Sequence, residues 1–596
     1  MASESPRPLG IEVPRSSMES PPGIAALFLI SFDVRTGYVV SWKRTAPGGE
    51  QSTNQTKQSS SSDTDRKTVD IEGVVEYKSL PSGLHNVTED LVYFVHEQYA
   101  GISAFLNHPA AEAERNAKMF AIGVLVPLST GRLGKSWRHA PRLKELTRSY
   151  ADNMSDMDPL SKYWDAYRIG GTESSAPESP MESPLSLRSR PGERPDTANR
   201  TRAFSDALVL DTFRPALTPF HPASSLPDFL DSFGPLVFPL YRAALLRKRI
   251  LFMGEVPVQT PCNYVYDLSL LASLPNSLLD LLPADRTPPL RPRPLFNVGI
   301  HDIHYLSTFD SARSIQDPET DPSWIACSTD TVLTMKPSLF DTLVTLPAPH
   351  TKQAEERTFP KLTLTNHANP QHPFTLKATQ RDARRYAMLR RSLHHLTSSD
   401  TDSTYSSSPV VEPVSWTRLA YTSFMWWASA GENRDGLTEE EEEAQLEQDS
   451  RLLTSVENLS PQNDQPPEVA LVAYFRRMTA LIFGTLAGVI ARSDDGDAEY
   501  EEYIDEDESE SRSRSMSIGD EAPLLRQRSG ASSQRGSLRG AGCEVVTISV
   551  ADMTEMGLDV WSATDRVFVE ELVGLWWGRE ARVDCARIRC CGISVL

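Results

Sequence analysis

The sequence predicts an α/β protein with an α+β N-terminal module, an α/β central module, a mixed C-terminal region and long disordered inserts. Three observations predict it. Short β-rich runs crowd the first 130 residues, strand and helix patterns alternate between residues 229 and 346, and polar tracts rich in Ser and Pro interrupt the chain. At roughly 100–200 residues per domain, the 596 residues allow about three domains.

The N-terminal module spans residues 23–155, after a Pro- and Ser-rich stretch at 1–22 that we expect to be disordered. A Ser/Thr-rich insert at 44–68 is also expected to be disordered. The first two strands are predicted to form a hairpin with Gly37 in its loop. A short helical patch is predicted at 110–116 and a helix at Trp137–Tyr150. The predicted strands are mostly antiparallel and cover Ile24–Phe32, Tyr38–Trp42, Leu91–Val95, Tyr99–Leu106 and Lys118–Leu128.

The central module spans residues 205–400 and follows a linker placed at 156–204. Its strands and helices alternate, which is typical of a parallel sheet with helical crossovers. The predicted strands are Arg249–Met253, Phe296–Ile300 and Trp324–Cys327. The predicted helices are Phe229–Leu246, Tyr264–Leu274, Ser338–Leu346 and Asp382–His395.

The C-terminal region spans residues 414–596 and contains inserts at 431–465 and 491–542 that we expect to be disordered. Helices are predicted at Trp416–Ala430, Glu468–Ile490 and Thr564–Trp577, and strands at Glu544–Val550 and Arg587–Leu596.

The charge pattern argues against nucleic-acid binding. The formal net charge is −20, and the run Asp494–Glu510 alone holds eleven carboxylates. Nucleic acids require clustered cations, which this chain lacks. The six cysteines show no C-x-x-C spacing, and the N-terminus shows no signal-peptide pattern. We therefore expect a cytoplasmic protein with reduced thiols and no cofactor.

Three motifs that suggest small ligands or a membrane fail on their spacing. Gly131–Ser136 has Ser129 where a phosphate-binding loop needs its first glycine. His301 and His304 would lie on opposite faces of a strand, so a zinc site is not expected. The run Met478–Ile490 contains a G-x-x-x-G pattern but only 13 apolar residues, where a transmembrane helix needs about 20. We predict a buried helix whose glycines let another backbone approach, and no transmembrane span.

The C-terminal tract carries candidate regulatory signals. Asp520, Leu524 and Leu525 resemble an acidic dileucine sorting signal. Ser515, Ser517, Ser529 and Ser537 follow arginines and are candidate phosphorylation sites, where a phosphate would add negative charge. The alternative is a solvated tail that neither a kinase nor a sorting protein recognises. The pair Cys590–Cys591 is either part of a strand or a palmitoylation site.

Several motifs, which follow one another along the N-terminal module, resemble the upstream part of a DENN domain, which has a longin-like fold. They are Phe32–Gly37, Glu76–His85, Asp90–Phe94 and Glu114–Met119 leading into Ile122–Leu125. As a set they resemble the LCHN-like (DENN-domain 11) branch, close to its fungal members.

The central module is similar to the central part of a DENN domain. The motifs that carry this likeness are Leu246–Leu251, Phe296–Ile303 and Trp324–Asp330. The segments Met556–Trp561 and Asp565–Glu571 resemble a C-terminal domain of fungal members whose role is unassigned.

The resemblance implies guanine-nucleotide exchange on a Rab-type small GTPase in vesicle traffic, with peripheral contact to vesicles or endomembranes. Exchange needs no catalytic cluster, because the factor acts by binding the nucleotide-free GTPase more tightly. Two alternatives stay open. Arg115 lies near the place where some DENN relatives carry an arginine finger that promotes GTP hydrolysis. The alternative without a function is a solvated arginine on a helix face. The chain could also be a non-catalytic trafficking scaffold.

Overall fold

An eleven-stranded mixed sheet forms the centre of the molecule, and its strand order is β11-β10-β9-β6-β8-β7-β3-β4-β5-β1-β2. The computed structural model describes residues 21–33, 35–46, 71–80, 82–110, 117–130, 135–169, 217, 220–283, 287–314, 322–349, 358–365, 373–394, 408–414, 419, 423, 445, 447–453, 466–511, 545–584, 589–590 and 593–594. Two short pairs, β12–β13 and β14–β15, lie outside this sheet.

The N-terminal module contributes five antiparallel strands, as predicted. They are β1 (Ala26–Asp33), β2 (Gly37–Thr45), β3 (Glu89–His96), β4 (Tyr99–Pro109) and β5 (Ala117–Pro127). The predicted β1–β2 hairpin is confirmed. Its turn is held by the Asp33 carboxylate, which accepts hydrogen bonds from the backbone N–H groups of Arg35 (2.7 Å) and Thr36 (2.9 Å). Gly37 supplies the left-handed backbone conformation at φ +82°.

Three helices accompany these strands: α1 (Val75–Ser79), α2 (Ala140–Asp152) and α3 (Asp158–Tyr167). Helix α2 was predicted, but α3 lies inside the segment assigned to the linker at 156–204. The chain after α3 returns to the sheet, where the Ile24 N–H donates to the Tyr167 carbonyl at 2.8 Å and the Ile169 N–H donates to the Ile24 carbonyl at 3.1 Å. Leu160 and Trp164 are buried on one face of α3. The module therefore extends to residue 169.

The central module adds four parallel strands: β6 (Ile250–Met253), β7 (Pro294–Asn297), β8 (Ile325–Ser328) and β9 (Thr342–Thr345). The antiparallel strands β10 (Lys361–Leu364) and β11 (Phe374–Leu376) complete that end of the sheet. The helix predicted at Ser338–Leu346 is wrong, because this segment forms β9. Thr342 and Val344 are fully buried on this strand, which suits β-branched side chains.

Helices cover the central strands: α4 (Leu226–Phe233), α5 (Val237–Leu245), α6 (Gln259–Leu271), α7 (Ile303–Ser314) and α8 (Gln380–His394). The single helix predicted at Phe229–Leu246 is wrong, because a 3-10 turn over Gly234–Leu236 separates α4 from α5. Gly234 has φ +58°, and Pro235 follows it. An α-helix cannot continue through a residue in that conformation.

The two modules share one sheet because β3 pairs antiparallel with β7 through Phe94 and Phe296. The Phe94 ring also lies over Gly101 of β4, where a Cβ atom would come within 2.2 Å of it. Asp90 of β3 binds the first turn of α6. Its carboxylate accepts from the N–H groups of Val258 (2.6 Å) and Gln259 (3.1 Å).

The C-terminal region packs against the central module. Its elements are α9 (Pro467–Ser511), β12 (Val546–Ile548), α10 (Val550–Glu555), α11 (Ala563–Trp577), β13 (Ala581–Val583), β14 (Arg589–Cys590) and β15 (Ile593–Ser594). The disordered insert predicted at 491–542 is wrong over its first part, because α9 continues to Ser511. The strand predicted at Arg587–Leu596 contains two separate two-residue strands instead.

The apolar part of α9 is a buried core helix. By length and composition alone Pro467–Asp494 could cross a membrane, but 61% of its apolar window is buried inside the protein. Phe475 packs on Tyr241, and Phe483 packs on Trp576. Among the described residues no packed neighbour comes within 4 Å of a Cβ position on Gly484 or Gly488, so the predicted close approach of another backbone is wrong.

Buried charges attach α11 to the central module. The Arg242 guanidinium of α5 lies 2.6 Å from Asp382 of α8 and 3.2 Å from Asp565 of α11. Burial raises the pKa of the Asp565 carboxyl to about 7, Arg242 opposes this increase, and the Asp382 carboxylate adds to it. Two aspartates thus share one arginine, which leaves an excess of negative charge when both are ionised.

The Asp90 contact can be tested by substitution. We expect Asp90→Ala to lower the free energy of unfolding by about 2–3 kcal/mol, because α6 loses hydrogen bonds to a charged acceptor at its buried first turn. Glu89→Ala is the matched control. The Glu89 carboxylate pairs with Arg148 at the surface, and its removal should cost less than about 1 kcal/mol. Urea denaturation measures both, and equal losses would contradict the proposed link between the modules.

The Asp565 cluster predicts a pH dependence. Since the folded-state pKa lies above the ordinary value of 3.8, the folded chain keeps a proton that the unfolded chain loses from about pH 4 upward. The stabilisation from Asp565 is full below that pH and is lost as the pH rises to about 7. In urea titrations, we expect the free energy of unfolding of the wild type, measured relative to that of Asp565→Asn, to fall between about pH 5 and about pH 7.5. A constant difference would contradict this assignment.

Candidate functional site

The carboxyl ends of β6, β7 and β8 meet at one edge of the sheet because these strands are parallel. In open α/β sheets, ligands bind in the crevice outside this edge. The segments that follow the three strands lie there, and α1 of the N-terminal module lies beside them. Val256, after β6, is within 3.6 Å of the Cβ position of Gly83. Both modules therefore contribute to this region.

Lys78 of α1 connects the two modules at this edge. Its ammonium group donates to the Val95 carbonyl at 2.7 Å and pairs with the Asp302 carboxylate at 2.8 Å. The Asn297 side-chain amide, at the end of β7, donates to the Lys78 carbonyl at 3.0 Å. Both side chains of the ion pair are nearly buried, with 12% and 8% of their surface exposed. The edge is thus built as a fixed structure.

Asp330, which follows β8, makes a second connection. Its carboxylate accepts a hydrogen bond from the Ser82 hydroxyl and one from the Ile300 N–H at 3.2 Å. Burial raises the pKa of the Tyr38 hydroxyl, and the Asp330 carboxylate adds to this effect. The Asp330 charge therefore acts on β2 as well as on the central module.

Apolar side chains stand exposed around these polar contacts. Met335 is 78% exposed, and Tyr77, Ile300, Tyr305 and Val332 are between 39% and 44% exposed. The ring of His301 stacks on Tyr77 at 3.7 Å. We call this set the seam surface: Tyr77, Ile300, His301, Tyr305, Val332 and Met335. Exposed apolar side chains that form a contiguous patch mark sites of protein interaction, which makes the seam surface the candidate site.

The histidine motif is placed differently from its prediction. His301 lies in a 3-10 turn over Ile300–Asp302 and His304 lies in α7, so neither is on a strand. Both histidines are exposed, and the ring of His301 also contacts Tyr77. Within the part of the chain that the structure describes, no group of three or more His, Cys, Asp or Glu side chains could hold a metal ion.

The other predicted site residues lie outside the described residues. They are Arg115, the candidate phosphorylation sites Ser515, Ser517, Ser529 and Ser537, and the sorting-signal residues Asp520, Leu524 and Leu525. Most of the Gly131–Ser136 motif is also outside, while Lys135 and Ser136 lead into a short 3-10 helix.

The sequence patterns did not indicate the seam surface as a site, although three of the motifs that resemble the family contribute to it. The motifs Glu76–His85, Phe296–Ile303 and Trp324–Asp330 carry the family resemblance, and the structure brings all three to this edge. Val332 and Met335 follow directly after the last motif. The available signal was the position of these motifs at the ends of predicted parallel strands.

An antiparallel N-terminal module followed by an α/β module agrees with the resemblance of this sequence to DENN proteins. The family described as "DENN domain-containing protein 11" matches residues 59–356, and the chain belongs to this family. Residues 411–596 match a domain of unknown function, so the C-terminal region is a recognised domain without an assigned role.

Relatives in several organisms resemble different parts of the chain. The "DENN domain-containing protein 11" of Xenopus laevis is 28% identical over 57% of this chain and 63% of its own length. That of Danio rerio is 27% identical over 54% of this chain and 53% of its own length. The chain therefore spans less than two thirds of these relatives. The "Uncharacterized protein ANR2" of Saccharomyces cerevisiae is 22% identical over 94% of this chain and 93% of its own length.

The Lys78–Asp302 pair should be essential to the seam. We expect Lys78→Met to lower the free energy of unfolding by about 3 kcal/mol, because the substitution leaves the Asp302 carboxylate buried without its cation. Lys43→Met is the control, since Lys43 and Glu72 form an exposed pair with 43% and 61% of their side chains accessible. Its cost should stay below about 1 kcal/mol in the same denaturation assay. Similar costs would show that the seam pair is not structurally important.

Proposed function

We propose that this chain is a guanine-nucleotide exchange factor for a Rab-type small GTPase and that it binds the GTPase through the seam surface. The observation that carries the proposal is the exposed apolar patch on a rigid junction of the two modules that define a DENN protein. The setting we infer is the cytoplasm, with peripheral contact to vesicles or endomembranes, where Rab-type GTPases direct membrane traffic.

The chemistry of exchange fits such a surface. A factor that binds the nucleotide-free GTPase more tightly than the nucleotide-bound form weakens nucleotide binding by the same ratio. A thousandfold ratio corresponds to about 4 kcal/mol, which a few apolar side chains can supply when they are buried. The exposed Met335 and Tyr77 side chains are the strongest candidates for this contact. Its effect on the GTPase would be to displace the switch loops that hold the nucleotide and Mg²⁺.

A release assay tests this function. The purified full chain is added to a panel of Rab-type GTPases loaded with fluorescent GDP, and the rate of GDP release is measured. We expect faster release from at least one GTPase, and we expect Tyr77→Ala/Met335→Ala to reduce the effect by about tenfold or more. The matched control is Val545→Ala/Val550→Ala, which removes exposed apolar side chains from the C-terminal domain.

The same panel distinguishes the other functions. If no GTPase releases GDP faster but GTP hydrolysis is accelerated and Arg115→Ala abolishes that effect, the chain is a GTPase-activating protein. If neither rate changes while a GTPase is still retained on the immobilised chain, it is a scaffold. Either result would overturn the exchange proposal.

A further inference from the structure

A cleft of about 420 Å³ lies between the central module and the C-terminal domain, at the amino ends of the parallel strands. One wall is α5 and Leu246, a second is formed by the ends of the outer strands, and the third is α11. Its apolar lining includes Leu246, Leu364, Phe374, Leu376, Val567 and Phe568. The volume is within the range of small-molecule sites, which often lie between domains.

Every ionisable side chain in the described lining of this cleft is paired within the protein. Arg242 pairs with Asp382 at 2.6 Å, and Lys248 pairs with Glu571 at 2.6 Å. Asp341 pairs with Arg249 at 3.1 Å. A charged ligand would lose its hydration without gaining a counter-ion here, so the cleft favours an uncharged occupant.

Two large apolar side chains at the cleft remain in water. Phe374 is 54% exposed and Val567 is 51% exposed, and they belong to different walls. An occupant that covers both would remove apolar surface from water on each side. A peptide backbone would bring N–H and C=O groups that need buried partners. The uncharged polar side chains of the described lining are only Thr365 and Thr564, and the Thr564 hydroxyl already bonds to Ser562 and Glu412. A hydrocarbon chain has no such requirement.

We propose that this cleft binds an uncharged hydrocarbon chain, an acyl or isoprenyl group, with the Thr365 hydroxyl near any hydroxyl or ester at its end. The chain is carried by a membrane lipid or by a lipid-modified protein. Because one wall is α11, occupancy also strengthens the contact between the C-terminal domain and the central module.

A chain-length series tests the proposal. Octan-1-ol, decan-1-ol and dodecan-1-ol are titrated into the full chain by calorimetry below their solubility limits. Each added methylene should tighten binding about fourfold until the cleft is filled. Decanoate and decylammonium, matched in length, should bind at least about tenfold more weakly than decan-1-ol. No binding, affinity independent of chain length, or a preference for either charged probe would overturn the proposal.

Substitutions locate the binding. Val567→Trp should fill the cleft and weaken decan-1-ol binding by about tenfold or more, and Phe374→Asp should do the same by placing a charge at its mouth. Val545→Trp, on another exposed valine of the same domain, is the control. Circular dichroism confirms that each variant is folded. Unchanged binding in both folded cleft variants would overturn the assignment.

The source of the chain is distinguished in a third experiment. A geranylgeranylated peptide, its unmodified form and phosphatidylcholine vesicles are compared as binding partners of the full chain and of Val567→Trp. Binding of the modified peptide alone identifies a lipid-modified protein, and binding of the vesicles alone identifies a membrane lipid. Either one, lost in Val567→Trp, supports the proposal. If the full chain binds neither the modified peptide nor the vesicles, the proposal is overturned.

Discussion

The pairing of β3 with β7 is the constraint on which the rest of the structure depends. In the described strands, the register between β3 and β7 consists of Phe94 opposite Phe296. Phe296 adopts φ +58°, a conformation that a phenylalanine rarely takes. Such strain persists only where the surroundings enforce it. The Phe94 ring against Gly101, the Tyr93 ring 5.9 Å from Phe296 and the Asp90 contact with α6 supply that enforcement. Without this junction, α1 would not stand over the ends of the parallel strands.

The two ends of the central sheet have different chemistry. At the carboxyl end, polar groups join the two modules and apolar side chains face solvent. At the amino end, the Arg242 cluster orients α11, and the apolar side chains line a cleft. Buried charges add little net stability, but they penalise alternative orientations because an unpaired charge is costly. Arg242 therefore helps to specify the position of the C-terminal domain, together with Arg385, whose guanidinium donates to the Gly557 carbonyl at 2.7 Å.

Local sequence patterns predicted the elements whose burial is regular. The five strands of the N-terminal module and α2 follow such patterns, and so do β6 and β8. The helix prediction for Ser338–Leu346 failed because β9, which has four residues, is too short to show the alternating burial of a strand. The break between α4 and α5 depends on the backbone of Gly234, and α3 was missed because it follows a polar stretch. The seam surface needs residues from three distant segments, and no local pattern records that Tyr77 meets His301.

The seam uses its polar groups internally, and this determines how it can recognise a partner. Lys78, Asp302 and Asp330 are each committed to contacts within the junction, and Asn297 donates to the Lys78 carbonyl. The apolar side chains of Met335 and Tyr77 remain exposed. Such a surface distinguishes partners by the apolar area that they expose. The proposed exchange function requires that the nucleotide-free GTPase offers the seam more apolar surface than the nucleotide-bound form. In the proposed function, nucleotide release would follow from that difference in affinity.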